Sequence, residues 1–253
     1  MSLDMTSESS ETPATPLVEV VLPVYNEEDD LPGSVETLIA YLQANASWAW
    51  RILIADNAST DGTFAVATSL SEAHPNVQVL RLDLKGRGRA LKAAWLASDA
   101  DVVCYMDVDL STDLSGLQPL VSAILDGGYD ISIGSRLAKG AQVTKRTLKR
   151  EIISRGYITL IKMLFWTRRT DMQCGFKALS GAAAQRLLPV VKDNAFFLDT
   201  EMLLIAERRG MRIHEVPVTW EDDPDSRVRL VSTIMEDLRG LMRLRFGGMP
   251  KLD

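Results

Sequence analysis

"ADVVCYMDVDLSTD" (residues 100–113) decides how this chain is read. Val102–Met106 is an unbroken apolar run, as expected of a strand buried on both faces of a parallel sheet. Three aspartates follow within seven positions: Asp107, Asp109 and Asp113. Carboxylates that close repel one another, and gathering them at the end of a buried strand costs free energy unless a positive charge sits between them. A divalent cation supplies that charge. Mg²⁺ or Mn²⁺ takes oxygen ligands from one or two carboxylates and completes its shell with substrate phosphates. Spacing of i and i+2 sets Asp107 and Asp109 on one side of an extended backbone, so both are expected to ligate the metal. A DxD pair also occurs in many plain surface loops; its position after "VVCYM" selects the metal reading.

The same strand–loop–helix unit recurs on either side. "VEVVLPVY" (18–25) is a β-branched strand. "NEEDDLPGSVETLIAYLQAN" (26–45) then turns helical, with Leu31, Val35, Leu38, Ile39 and Leu42 at helical spacing and Asn26 or Asp30 as the cap. "WRILIAD" (50–56) is a second strand, followed by "NASTDGT" and the helix "FAVATSLSEA". "VQVLRLD" (77–83) is a third, followed by the glycine-punctuated "LKGRGRALKAAWLAS". Strict alternation with near-continuous apolar strands predicts an α/β domain, a mostly parallel central sheet flanked by helices. Ligands bind such sheets outside the carboxyl ends of the strands. Asn26, Glu27 and Glu28, then Asp56, then Lys85 to Arg89, then Asp107 and Asp109 all fall at those ends. Four polar clusters on one edge outweigh any one of them. The second half holds the strand "DISIGSR" (130–136), then "DMQCGFKALS", helices through "AAAQRLLPVV" and "DTEMLLIAERRG", and the strand "RIHEVPVTW" (212–220). There is no internal repeat.

At 253 residues and 46% hydrophobic, the chain has enough apolar content for one large domain or two small ones. No apolar run reaches the length of a membrane span; "YITLIKMLFW" (157–166) is short and carries Lys162. "MSLDMTSESSETPATP" (1–16) has no apolar core and reads as a disordered tail rather than a signal peptide. Two cysteines point to a reduced, cytoplasmic setting. Two histidines far apart leave little for a zinc site or a Ser-His-Asp triad. The net charge of −6 is uneven: residues 136–169 carry ten Lys/Arg against Glu151 alone, which is +9 locally and −15 elsewhere. Such a segment fits an anionic partner better than a merely solvated face. Nucleic acid fits poorly, because the acidic remainder repels a phosphate backbone and no stacking aromatics accompany the charge.

Asp56 is set to accept hydrogen bonds from a base or ribose, with a simple Asx turn as the plain alternative. In "LKGRGRALK" the glycines allow close backbone approach, and Lys85, Arg87 and Arg89 bring positive charge toward phosphates. No GK[ST] is present, so this is not a P-loop, and the first strand leads into "PVYNEE" rather than a dinucleotide fingerprint.

Taken in order, "LPVYNEEDDLPGSV", "ADNASTDGT", "KGRGRALKAAW", "MDVDLSTD" and "GSR" resemble glycosyltransferase family two, enzymes of GT-A fold that use nucleotide-diphosphate sugars. "DMQCGFKALS", "FFLDTEMLLIAERRGMRIHEVPVTW" and "DSR" resemble its polyprenyl-phosphate (dolichyl-phosphate) glucosyl- and mannosyltransferase branch, the glucosyltransferase kind most of all. The likeness spans about residues 17–230, which divides as a nucleotide-sugar half (17–135) and an acceptor half (136–230), followed by an amphipathic helix and tail (231–253). It implies that Pro23, Tyr25, Glu27, Asp56, Lys85, Arg89, Asp107 and Val108 hold the nucleotide sugar. Asp107 and Asp109 would hold the metal, and Arg136, Arg150 and Arg227 the acceptor phosphate. Asp171 sits where an aspartate precedes the family's "GF[RK]" and joins Asp107, Asp109 and Arg136 as a catalytic candidate. Asn57 replaces the second acid of the frequent "VDDGS", Ser111 the Gln of "DADLQ", and "DSR" lacks the glycine of "GSK".

The implied reaction is an inverting, metal-dependent transfer of a hexose to a polyprenyl phosphate. Glucose from UDP-glucose is favoured over mannose from GDP-mannose. The rivals are a soluble or glycan acceptor, for which Asp171 and Asp199 are candidate bases, and a non-catalytic nucleotide-sugar binding module. A phosphate acceptor is independently reasonable, since the chain offers arginines and a DxD but almost no histidine. Leu148, Ile152, Ile153, Tyr157, Leu160, Ile161, Leu164 and Phe165 form a broad apolar face among Lys149, Arg150, Arg155 and Lys162. Val231, Ile234, Met235, Leu238, Leu241 and Met242 repeat the pattern beside Arg239, Arg243 and Arg245. Basic amphipathic helices lie in membrane interfaces, so a peripheral position on the cytoplasmic membrane face is expected, with a membrane domain as possible neighbour or partner.

Overall fold

A computed structural model describes residues 15–145, 147–221 and 230–252. The nucleotide-sugar half runs β1 (Leu17–Val24), α1 (Leu31–Asn45), β2 (Ala49–Asp56), α2 (Thr63–Ala73), β3 (Val77–Arg81), α3 (Arg87–Ala97), β4 (Val102–Met106) and α4 (Leu117–Leu125). Then follow β5 (Ile131–Ser135), β6 (Gln142–Thr144), α5 (Leu148–Phe165), β7 (Phe176–Ser180) and α6 (Gly181–Leu187). The chain continues through α7 (Leu198–Arg208), β8 (Ile213–Pro217), β9 (Thr219–Glu221) and α8 (Leu230–Gly247).

Seven strands form one sheet in the order β3-β2-β1-β4-β7-β5-β8. β1 pairs in parallel with β2 on one side (Val20 opposite Ile52) and with β4 on the other (Val20 opposite Cys104). The chain steps outward through β2 and β3, then returns across β1 to lay down β4. That reversal opens a crevice at the carboxyl ends of β1 and β4. Alternate residues of the strands serve the two faces. Val18, Val20, Leu22 and Val24 pack against α1, α2 and α4, whereas Val21, Val103 and Tyr105 pack against α3 and α5 to α8. Both faces are therefore covered, which is why these strands read as apolar without alternation.

Four expectations shift. β7 runs antiparallel to both β4 and β5, so the sheet is parallel with one reversed central strand. "RIHEVPVTW" is broken at Val218, whose N–H donates to Ser135 while its carbonyl accepts from Gln142; beyond it, β9 leaves the main sheet and pairs with β6. Of the two expected caps of α1, Asp30 takes the position, without a side-chain cap bond, while Asn26 bonds Ser59 and Thr60 instead. Pro189 tightens the end of the "AAAQRLLPVV" helix into a 3₁₀ turn. Among the described residues no helix is long and apolar enough to cross a membrane.

α8 is attached by polar pins as well as by Leu241 and Leu244. Arg243 grips the buried Glu201 of α7 through both guanidinium ends (2.7 and 2.8 Å), and Gln173 donates to the buried Asp237 (2.6 Å). Burial pushes the Asp237 carboxyl up to about 6, against the hydrogen bonds from Tyr157 and Gln173 that favour its charge. A folded-state value above the unfolded one means that ionising Asp237 costs stability, fully so above about pH 6, and that the cost fades as pH falls toward 4. Asp237→Asn is accordingly expected to raise the melting temperature more at pH 7.5 than at pH 4.5; an equal or reversed gap in calorimetry at the two pH values would refute the strained carboxylate.

Candidate active site

The site begins where β1 and β2 end. Asn26 adopts a left-handed backbone (φ 57°), as do Ala58 (φ 60°) and Leu110 (φ 50°) in the loops beside it. Such conformations cost about 1 kcal/mol or more for non-glycine residues and persist where the surroundings impose them. Here the loops after β1 and β2 are stitched together. Asn26 N–H donates to Ser59 (3.0 Å), its side chain accepts from Thr60 N–H (2.9 Å), Glu27 N–H donates to Thr63 (2.8 Å), and Glu28 accepts from Gly62 N–H (2.7 Å).

Asp56, fully buried at the end of β2, accepts from Ser59 N–H with Oδ1 (3.1 Å). Its Oδ2 has no hydrogen bond; Arg81 Nε stands 3.6 Å away, its guanidinium over the Phe64 ring. A buried carboxylate oxygen one donor short, at the mouth of a crevice, is a ready acceptor for a ligand N–H or O–H. Pro23 lies within β1 opposite Ala55, and Tyr25, just beyond the strand, carries Lys85 Nζ 3.2 Å above its ring. Arg89 braces its own loop instead, its guanidinium donating to the Lys85 carbonyl (2.7 Å) and its N–H to Asn194 (3.1 Å). Asn57, in the place of the family's second acid, accepts from Gly86 N–H. Gly88 needs its missing side chain: a Cβ there would stand 2.8 Å from the Ala195 carbonyl.

The extended backbone expected across Asp107 and Asp109 is absent. β4 stops at Met106, and the chain turns back so that Leu110 N–H donates to the Asp107 carbonyl (3.2 Å). The two carboxylates therefore differ. Asp107 is half-buried, packed on Gly175 so closely that a Cβ there would fall 1.7 Å from its Oδ2, and Arg87 holds its Oδ1 at 2.7 Å. Asp109 is exposed and accepts from Ser111 N–H (2.9 Å); Val108 between them is buried. Among the described residues no three His, Cys, Asp or Glu side chains cluster as a metal cage. Two hard oxygen donors on a turn fit Mg²⁺ or Mn²⁺ of the kind that completes its shell with substrate phosphates and water.

Behind Asp107 lies a buried network. Asp199, at the start of α7, accepts from Tyr105 (2.6 Å) and Arg87 (3.0 Å) and pairs with the fully buried Lys177 (3.1 Å). Burial and the Asp199 carboxylate push the Tyr105 hydroxyl up, so it remains a donor. On the far side Arg136 clamps the buried Asp171 through Nε (2.7 Å) and Nη2 (3.0 Å), and its guanidinium lies 5.2 Å from the Trp220 ring centre. Burial alone would raise the Asp171 carboxyl, but Arg136 beside it wins and holds it well below the usual carboxylate range. A depressed value makes the pair's contribution complete at neutral pH, to be lost only in strong acid. Arg150 falls on the first turn of α5, where the backbone alone is described, and Arg227 lies outside the described residues.

The sequence profile of Glycosyl transferase family 2 matches residues 19–188, spanning this whole edge from β1 through Lys177. The chain belongs to that family. Glycosyltransferase AglD of Haloferax volcanii is 39% identical over 223 residues, 86% of this chain but only 35% of AglD, so the chain corresponds to about a third of that protein. The dolichyl-phosphate beta-glucosyltransferase of Dictyostelium discoideum is 28% identical, covering 90% of this chain and 74% of the relative. Glucosyl-3-phosphoglycerate synthase of Mycobacterium tuberculosis, solved with Mn²⁺ and UDP-glucose, shares the GT-A fold: its TM-score is 0.65 at 19% identity, over 93% of this chain and 80% of the other.

Within this family 2 domain, the sequence marks Asp107, Arg136 and Asp171 one by one but not the pairings between them and their neighbours. It places Arg87 in a basic loop without singling it out, and Tyr105, Lys177 and Gly175 are missed. The one available signal was the buried-strand lysine in "GFKALS", a charge that demands a carboxylate. Removing Arg136 should leave Asp171 buried and unpaired. Arg136→Met is expected to cost about 3–5 kcal/mol in urea unfolding, with much of the loss recovered in Arg136→Met/Asp171→Leu. Losses that simply add in the double variant would show that the pair is not coupled.

Proposed function

We propose that this chain transfers a hexose from a nucleotide-diphosphate sugar to a polyprenyl phosphate with inversion, using glucose from UDP-glucose ahead of mannose from GDP-mannose. One observation carries the acceptor class. Both carboxylates in place to act as a general base are committed: Asp171 to the Arg136 fork, and Asp199 to Arg87, Tyr105 and Lys177. A sugar hydroxyl needs such a base. A phosphate monoester, with a second pKa of about 6, is largely dianionic at neutral pH and attacks without one. The names of the relatives, dolichyl-phosphate beta-glucosyltransferases, support the same acceptor and the glucose.

In this reading a phosphate oxygen forms the bond to the anomeric carbon as that carbon's bond to the nucleoside diphosphate breaks. The electron pair departs with the diphosphate, and a single in-line displacement inverts the centre. Asp56 Oδ2 takes an N–H of the base, and Lys85 and Tyr25 flank the nucleotide. Arg136 presents positive charge to the acceptor phosphate in an orientation fixed by Asp171, which serves as a clamp rather than a base. Mg²⁺ or Mn²⁺, which Asp107 and Asp109 would hold, supplies positive charge for the departing diphosphate.

The acceptor's lipid asks for a membrane surface. Ile161 is buried and Tyr157, Leu160, Leu164 and Phe165 pack on the core, so most of the apolar face expected of α5 is turned inward. What α5 leaves exposed is Leu148 (81%), Ile152, Met163 and, just past its end, Trp166 (85%); α8 adds Met235, Met242 and Phe246. Exposed Arg155, Lys162, Arg239 and Arg245 accompany them. Apolar side chains beside Lys and Arg fit an anionic interface, and we infer a peripheral position there.

Two outcomes are expected. Label from UDP-glucose should enter an organic-extractable product when polyprenyl phosphate and Mn²⁺ are present, and Asp109→Asn should lower that rate at least about 100-fold with an unchanged melting temperature; label appearing only in a soluble glycan would discard the lipid acceptor. Trp166→Ser/Phe246→Ser should weaken sedimentation with vesicles containing anionic lipid several-fold, and unchanged co-sedimentation would remove these helices from the membrane face.

A further inference from the structure

Among the described residues, Arg87 is a strong positive charge in direct contact with an expected metal ligand. Its guanidinium reaches Asp107 Oδ1 through Nη2 (2.7 Å) and Asp199 Oδ2 through Nη1 (3.0 Å), with its carbon 4.9 Å from the Tyr105 ring centre and 5.6 Å from that of Phe196. Burial alone would lower it, but the acidic groups around it, Tyr105, Asp107 and Asp199, outweigh this and keep it charged. Asp199 retains Tyr105 and Lys177 when Arg87 lets go of it, so the network does not need Arg87 to stay neutral. Asp107, in contrast, loses the guanidinium that holds its Oδ1.

We propose that Arg87 is a positioning residue that makes cation binding conditional on the nucleotide diphosphate; this rests on the metal reading of Asp107 and Asp109. Without nucleotide, Arg87 already neutralises Asp107, and a divalent cation arriving there meets a like charge a few ångströms away. A diphosphate carries enough negative charge to satisfy both. Arg87 then exchanges Asp107 for a phosphate oxygen while Asp199 keeps the other end of the fork in place, and the cation takes Asp107. The guanidinium is suited to this because it can hold one anion while exchanging the other. Cation and nucleotide affinities thus become coupled, and the coupling is reciprocal.

The test is calorimetric and spectroscopic, with Mn²⁺ and UDP as probes on the whole chain. Free Mn²⁺, followed by its electron paramagnetic resonance signal, should bind Arg87→Met at least about 3-fold more tightly than the wild type, the removal of a nearby like charge being worth that much. UDP in saturating Mn²⁺ should bind the same variant at least about 10-fold more weakly. Opposite signs on the two ligands are what a merely structural arginine would not produce. Arg87→Lys, which keeps the charge and the packing of the stem, should recover at least half of the lost UDP affinity on a logarithmic scale, and melting curves of both variants verify the fold. Mn²⁺-dependent UDP binding in the wild type, with free Mn²⁺ affinity unchanged or weakened in Arg87→Met, overturns this proposal and leaves the metal reading standing. UDP binding indifferent to Mn²⁺ in the wild type overturns both.

Discussion

A carboxylate sealed inside an apolar interior must be compensated on every side, and Asp199 is where this protein meets that demand. Its partners come from three different parts of the chain: Arg87 from the start of α3, Tyr105 from β4 and Lys177 from β7. Moving β7 away from Asp199 would leave the fully buried Lys177 without its carboxylate, a change that costs several kcal/mol. The network therefore fixes the reversed strand β7 against β4 and sets the first turn of α7 over the crevice. Those are the elements that bring Gly175 beneath Asp107 and Asp171 beside Arg136.

The same logic explains why the crevice has two kinds of acid. Asp56 at the end of β2 keeps an oxygen without a hydrogen bond, while Asp107 and Asp109, on the turn after β4, are half-buried and exposed. Asp171 and Asp199 are buried like Asp56 but, unlike it, are held at both oxygens by cations and other donors. The outer set can receive a ligand; the inner set holds the cations Arg87 and Arg136 at fixed places. Positive charge fixed before the reaction costs no reorganisation when a phosphate or a departing diphosphate arrives. A site built this way favours anionic substrates at both ends of the transfer and leaves little basicity for deprotonating a neutral hydroxyl.

This division also shows what could be read from the residues alone. The fold was legible because its signals are local: apolar strands, helical spacing, and polar loops recurring at each carboxyl end. The outer acids shared that locality, since Asp56, Asp107 and Asp109 each follow an apolar strand directly. The inner set was opaque because its logic is pairwise and distant. Arg87 and Asp199 are 112 residues apart, Arg136 and Asp171 are 35 apart, and nothing in either neighbourhood announces the other. β7 hid for a related reason. All but the last of its five residues are buried, so neither alternation nor a turn signal marks its direction. The apolar face expected of α5 pointed largely inward because that helix is apolar on more than one side, and helical spacing cannot tell which stripe meets the core.

α5 and α8 link the side of the molecule that carries the exposed apolar residues to the crevice through specific polar contacts. Tyr157 of α5 bonds Thr200, the neighbour of Asp199 on α7 (3.1 Å), and Arg243 of α8 grips Glu201 one residue further on. Asp237 of α8 receives Gln173, whose own N–H donates to Asp171 (3.0 Å), the clamp of Arg136. α8, proposed above to lean on a membrane, is thus two hydrogen bonds and one ion pair away from the arginine proposed to meet the acceptor phosphate. Ionised Asp237 adds no stability here, since burial raises its carboxyl, but its bond to Gln173 ties α8 to the Asp171 loop. The arrangement sets the height of the phosphate site relative to the apolar face, which is the dimension an enzyme must match when its acceptor's phosphate is anchored at a membrane surface and its donor arrives from water.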